Sequence, residues 1–246
     1  MKLSIANIKP IISMVFILLT ACVHKGNQPK FQIQRLDMGV YMHTSYQLYG
    51  DSWVDSNGLV VVNDSRAIIV DTPWSEYDTH ELLSWIDAQG YSLQASISTH
   101  FHADRTAGIG LLNSMSIPTH SSKLTHHFLM KENKPTASHV FTGDYFSMMD
   151  GLIEVYYPGP GHTRDNLVVW LPEKSILFGG CLVRSLEWST LGFTGDAMIS
   201  QWADSISRIQ SKYSSIDVVV PGHGEVAGRS ILDHTHELAI KAAERL

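Results

Sequence analysis

Apolar and polar positions along this chain form short strand-like runs separated by longer stretches with helical spacing. Residues 32–43 and 58–62 alternate or run apolar, and Ala67-Ile68-Ile69-Val70 is a short buried run that ends at Asp71. Residues 46–57 carry Gly, Asp and Ser around an isolated Trp53, which predicts a hairpin or loop. Thr72-Pro73 fits an N-cap followed by proline at the first helical position. Leu82, Leu83 and Ile86 then form an apolar stripe, and Gly90 marks its stop. Further strands are predicted over 93–99, 153–157, 167–170, 175–178 and 217–220, and helices over 106–113, 121–130, 199–213 and 231–246. No repeat or linker divides the chain. Strand-rich halves that each carry helices predict one layered α/β domain over 31–246, with helices on the outer faces of two central mixed sheets.

The N-terminus breaks this pattern. Lys2 and Lys9 precede an apolar stretch, residues 11–19, that is too short to span a bilayer, and Leu19-Thr20-Ala21-Cys22 follows. This arrangement resembles the lipobox of bacterial lipoproteins, which implies a signal peptide over 1–21, lipidation of Cys22 and a tether over 22–30. Val23 after the cysteine implies the periplasmic face of an outer membrane. A plain secretory signal cut nearby is the alternative.

Composition narrows the function classes. Eighteen Lys and Arg against 24 Asp and Glu give a net charge of −6, without the basic footprint of a nucleic-acid binder. Charged residues at 17% and apolar ones at 44% describe a chain with a core rather than a disordered one. One of the two cysteines is committed to the N-terminal motif, so Cys181 is left without a partner within the chain. Metal ligation accounts for such a thiol. No apolar interface patch is evident, and a monomer is expected.

Histidine placement carries the chemistry. The strand over 93–99 runs into His100-Phe101-His102-Ala103-Asp104-Arg105, and an extended chain would put His100, His102 and Asp104 on one side. Two imidazoles and a carboxylate suit zinc. Pro158-Gly159-Pro160-Gly161-His162 and Pro221-Gly222-His223-Gly224 each present a histidine on a tight turn after a strand. In Phe178-Gly179-Gly180-Cys181, flanking glycines let the backbone approach an ion. The other histidines, among them His43, His126, His127, His234 and His236, lack this placement and read as ordinary structural or surface residues. Six ligands exceed one tetrahedral zinc. Two adjacent zincs with three protein ligands each would keep open positions, the mark of catalytic zinc.

These residues, in this order, resemble the metallo-β-lactamases of subclass B1, and most closely the imipenemase type. The shared runs include Val70-Asp71-Thr72-Pro73, Tyr157-Pro158-Gly159-Pro160-Gly161-His162-Thr163 and Phe178-Gly179-Gly180-Cys181. The resemblance implies the αβ/βα sandwich of that family. It implies one zinc on His100, His102 and His162 and a second on Asp104, Cys181 and His223, with Asp104 also orienting a zinc-held hydroxide. The implied reaction is hydrolysis of the lactam amide of penicillins, cephalosporins and carbapenems, and so antibiotic resistance. Arg184, three residues after the cysteine, would grip the substrate carboxylate, where its fork offers two donors. Trp53 would be the apolar cover of a mobile flap over 46–57. Phe193 stands where many relatives carry an asparagine, so that amide donor is missing. Arg164 replaces a proline. Asp71 and Arg105 are candidates for ordering the ligand loop. Rival readings are another hydrolase of the same superfamily, such as a thioesterase of the glyoxalase II kind, and a zinc-binding lipoprotein without catalysis. Arg105 directly after Asp104, and a cysteine at position 181, favour the lactamase.

Overall fold

A computed structural model describes residues 29–246. The expected signal peptide, Cys22 and all but the last two residues of the expected tether lie outside the described residues. The first half contains β1 (Gln32–Asp37), β2 (Val40–Tyr49), β3 (Ser52–Asn63), β4 (Arg66–Val70), α1 (Glu76–Ala88), β5 (Ser92–Ile97), α2 (Ala103–Thr106), α3 (Ile109–Ser114), β6 (Thr119–Ser122), α4 (Lys123–Lys131) and β7 (His139–Phe141). The second half contains β8 (Tyr145–Met148), β9 (Ile153–Tyr156), β10 (Val168–Leu171), β11 (Ile176–Gly180), α5 (Ile199–Lys212), β12 (Val218–Pro221) and α6 (Ser230–Ala243). Strands β1 to β7 form one sheet in chain order. The other sheet runs β12-β11-β10-β9-β8. Both are mixed, since β4-β5-β6-β7 and β11-β12 pair in parallel and the rest antiparallel.

Strand periodicity explains the layering. Within β4, Ile68 and Val70 join the core between the sheets, while Ala67 and Ile69 pack outward against Leu82 and Ile86 of α1. Within the second sheet, Val169 and Phe178 face inward, and Val168 and Leu177 face Trp202, Ile206 and Leu232 of α5 and α6. Burial on both faces is why these strands read as continuous apolar runs. The result is the α/β sandwich expected, two mixed sheets flanked by helices.

Several local expectations change. The run over 32–43 is broken by Gly39, whose φ of 74° turns β1 back onto β2. Residues 46–57 are a hairpin, with Tyr49 paired to Ser52 across the tip. Thr72-Pro73 does not start α1. Ser75 is its N-cap, accepting the Asp78 N–H at 3.0 Å, because Thr72 is already engaged with the Arg105 carbonyl through its own N–H (3.1 Å) and hydroxyl (3.2 Å). The helix expected over 106–113 is two short pieces, α2 and α3. Strands β7 and β8, of three and four residues with no buried positions, have no counterpart in the sequence pattern.

Candidate metal centre

Each candidate ligand follows the end of a strand along one edge of the sandwich. Asp71, just after β4, adopts a φ of 60° and turns its carboxylate onto the neighbouring strand's extension. Its Oδ1 accepts the Thr99 N–H at 2.6 Å and its Oδ2 the Thr99 hydroxyl at 2.7 Å. The Thr99 carbonyl accepts the Leu167 N–H of the second sheet at 2.8 Å, so the residue before His100 is held from both sides. Burial raises the Asp71 carboxyl to about 7, against the opposing pull of Arg105 and Thr99.

The segment 100–104 is not extended throughout. It turns after His102 into the single turn α2, closed by the Ala107 N–H on the Ala103 carbonyl at 3.0 Å, with the Thr106 hydroxyl donating to the His102 carbonyl at 2.9 Å. The one-sided strand is therefore corrected to a strand end plus a helical turn. The turn sends Asp104 toward Cys181 and leaves His102 with His162. Ligand atoms of His100, His102 and His162 all lie within 4.8 Å of one another, and so do those of His100, Asp104 and Cys181.

The later loops depend on glycine for close approach. A Cβ on Gly161 would lie 2.3 Å from Leu182 Cδ1, beneath His162. Asn166 closes that loop, its Oδ1 accepting the Thr163 N–H at 3.1 Å and its Nδ2 donating to the Gly159 carbonyl at 2.8 Å. At Gly222 a Cβ would meet the Cys181 backbone nitrogen at 2.6 Å and Arg105 Nη2 at 2.8 Å, so glycine lets β12 deliver His223 beside Cys181. The His223 Nδ1–H donates to the Asp55 carbonyl, which leaves Nε2 facing Cys181 Sγ at 3.2 Å and Asp104 Oδ2 at 3.4 Å.

Arg105, with no exposed surface, lies under this set. Nε donates to Asp104 Oδ2 at 2.9 Å. Nη2 donates to the Gly222 carbonyl at 2.9 Å and to Cys181 Sγ at 3.1 Å, Nη1 to the Asn57 carbonyl, and Asp71 Oδ2 lies 3.4 Å away. Burial opposes ionisation of Asp104, yet the Arg105 guanidinium and His223 hold its carboxyl well below the usual range. His100 and His162 are held well below their ordinary value, first by burial and then by the neighbouring imidazoles and guanidinium groups. His223, which burial alone would lower, is pushed up to about 10 by Cys181 and Asp104.

The donor set fits zinc. Both ring nitrogens of His100 lie buried without a hydrogen-bond partner, and burial keeps His100 and His162 neutral, as ligation requires. The thiol, carboxylate and imidazole beside them are donors that zinc accepts. His102 is oriented by a residue the sequence reading had not singled out. Asp196 accepts its Nε2–H at 2.9 Å and leaves Nδ1 toward His162. That contact joins residues 94 apart, and no local motif announces it.

A cavity of about 470 Å³ opens over this centre. Arg184 lines it, as does Phe193, 62% exposed at the rim with its ring edge-on to His102 at 5.8 Å. Trp53 does not. Strand alternation turns Val54 into the cavity, and Trp53 faces the opposite side of the hairpin beside Phe31, Tyr46 and Tyr77. The apolar wall on the hairpin side is Tyr49, Val54 and Trp74.

Residues 51–223 match the family described as the metallo-beta-lactamase superfamily. A metallo-beta-lactamase type 2 of Pseudomonas aeruginosa is 43% identical over 87% of this chain and 86% of its own length. The solved structure of TMB-1, described with the role of its residues 119 and 228 in substrate and inhibitor binding, superposes with a TM-score of 0.86. It is 51% identical, covering 87% of this chain and 99% of its own. That of the DIM-1 metallo-beta-lactamase exposed to ceftazidime superposes with a TM-score of 0.86 at 48% identity, covering 88% and 100%.

Proposed function

The chain belongs to the metallo-beta-lactamase superfamily and is a zinc-dependent β-lactam hydrolase; from that premise we propose which residues carry the reaction and on which substrates. His100, His102 and His162 hold one zinc, and Asp104, Cys181 and His223 hold the second. The adjacency of two three-donor sets on one cavity floor is the observation that carries this assignment. When bound, the zinc pair supplies Lewis-acid polarisation and brings the pKa of water to about 7.

The chain's own residues supply binding and orientation. Arg184 receives the carboxylate beside the lactam. Tyr49, Val54 and Trp74 cover the apolar side of the substrate and help exclude water. Asp104 commits Oδ2 to Arg105, Cys181 and His223, which leaves Oδ1 to orient the attacking water. The Phe193 side chain presents no hydrogen-bond donor, so this position would leave polarisation of the lactam oxygen to a bound zinc. The substrates are penicillins, cephalosporins and carbapenems, and the consequence for a bacterium is resistance to them.

The enzyme works as a monomer in the periplasm, delivered by residues 1–21 and tethered through lipidated Cys22. The lipobox-like Leu19-Thr20-Ala21-Cys22 supports the anchor, and Cys22→Ser should release the protein from the membrane fraction. Hydrolysis of a carbapenem, followed by ultraviolet absorbance, tests the activity. Loss of the lactam chromophore should stop with a chelator and return with zinc. A folded, zinc-loaded chain without turnover would overturn the substrate assignment.

A further inference from the structure

Arg184 is 4% exposed, yet no ion pair among the described residues includes it, and its Nε meets no acceptor. Asp55 and Glu187 act on it from beyond ion-pair distance, so a buried guanidinium without a carboxylate in contact needs something else to hold it in place. Two neighbours do so. The guanidinium carbon stands 4.2 Å from the centroid of the Trp188 ring. Gly192 also approaches it: a Cβ built there would come within 2.8 Å of Nη2, and Gly192 has a φ of +69°. A side chain at 192 would thus be strained by its backbone and would collide with the cation.

Local structure sets the tryptophan. The Trp188 N–H donates to the Ser185 carbonyl at 3.1 Å, closing a turn that folds residue 188 back over residue 184. Its carbonyl accepts the His234 Nε2–H at 2.8 Å, which pins the turn to α6. The Arg184 backbone is fixed as well, its N–H donating to the Thr235 hydroxyl at 2.9 Å and its carbonyl accepting from that hydroxyl at 3.2 Å. Arg184, Trp188 and Gly192 all line the cavity above the metal centre.

We infer that Trp188 is a positioning residue for substrate binding: its ring face and the Gly192 backbone clamp the Arg184 guanidinium so that its donors stay free for the substrate carboxylate. The inference rests on Arg184 as the carboxylate seat. A cation–π contact holds the charge without consuming its N–H donors, whereas an acidic partner at the same place would compete with the substrate. Trp188 thereby favours β-lactams that carry a free carboxylate.

The test compares Trp188→Ala, Trp188→Phe, Trp188→Leu, Arg184→Ala and the Trp188→Ala/Arg184→Ala pair on a penicillin with its free carboxylate. Zinc content and melting temperature are measured for each. Trp188→Ala should raise KM roughly five- to tenfold, inside the range of about two- to thirtyfold for such contacts, with kcat within about twofold of the parent. Trp188→Phe should recover most of the loss, and Trp188→Leu, which fills space without a π face, little. Added to Arg184→Ala, Trp188→Ala should change KM little further. An unchanged KM in Arg184→Ala removes the carboxylate seat and the clamp with it. A raised KM there with a parental KM in Trp188→Ala and Trp188→Leu removes only the clamp. Fully additive effects in the pair would make Trp188 an independent wall of the cavity and overturn its role through Arg184.

Discussion

Asp71 grips Thr99 with both carboxylate oxygens, at 2.6 and 2.7 Å, and Thr99 immediately precedes His100. The contact reaches from the end of one strand to the extension of the next, so it sets where the ligand loop begins. Partners at one remove from a metal commonly change affinity by about 10–100-fold. Asp71→Asn turns an amide N–H₂ toward one of the two Thr99 donors, and zinc affinity should fall by about that factor. Competition with a chromophoric chelator measures it, and a parental affinity would reduce Asp71 to a turn residue.

Arg105 satisfies two backbone carbonyls, Asp104 and Cys181 from a site with no exposure. Removing one partner of a buried charge set costs about 3–5 kcal/mol. Arg105→Ala should lose that much in urea unfolding of the zinc-loaded protein. Arg105→Lys should recover only part of it, because one ammonium cannot span the carbonyls of Asn57 and Gly222 together.

His43, which is not itself a candidate ligand, gives the protein an acid-sensitive element. Its Nε2–H donates to the Asp71 carbonyl at 3.0 Å, but burial outweighs that bond and, with Arg105 nearby, lowers its pKa to about 3. An unfolded chain protonates this ring near 6.5 and the folded one does not until about 3. Stability from this group is therefore complete above about 6.5 and falls with decreasing pH down to about 3, by about 1.4 kcal/mol per pH unit in mid-range. His43→Gln should flatten the unfolding free energy between pH 6 and pH 4, relative to the parent. An equally steep variant would place the acid sensitivity elsewhere.

Gly58 faces His43 across β2 and β3, and a Cβ there would lie 2.4 Å from His43 Nε2 and 2.8 Å from the Asp71 carbonyl oxygen. Gly58→Ala should cost about 1–3 kcal/mol as overpacking. Because the Cβ would press on the Asp71 carbonyl as well as on the His43 ring, zinc affinity should fall with stability. Differential scanning calorimetry and the same chelator competition check both.

The candidate ligands were legible because each of His100, His162, Cys181 and His223 follows an apolar run directly or through a Gly- or Pro-containing turn. Two-sided burial made the central strands readable as well. What was illegible depends on partners distant in sequence. Alternation shows that Trp53 and Val54 point oppositely, but not which of them faces the cavity. Asp104 was expected on a strand, since a single helical turn of four residues has no periodicity to detect. Asp196, Trp188 and Lys134 reach the cavity from loops whose course is set by α4, α5 and α6. Arg105 was expected to order the ligand loop, and the fold adds the partners through which an internal guanidinium can do so.

The candidate ligands are spread over 124 residues, from His100 to His223, and they come from both sheets. The last of them arrives on β12, which pairs in parallel with β11 only after α5 has crossed the second sheet. A chain emerging stepwise therefore lacks a complete second ligand set until nearly its whole length is available. The first set, by contrast, is complete once His162 has emerged, so the two sets become available at different stages of chain growth.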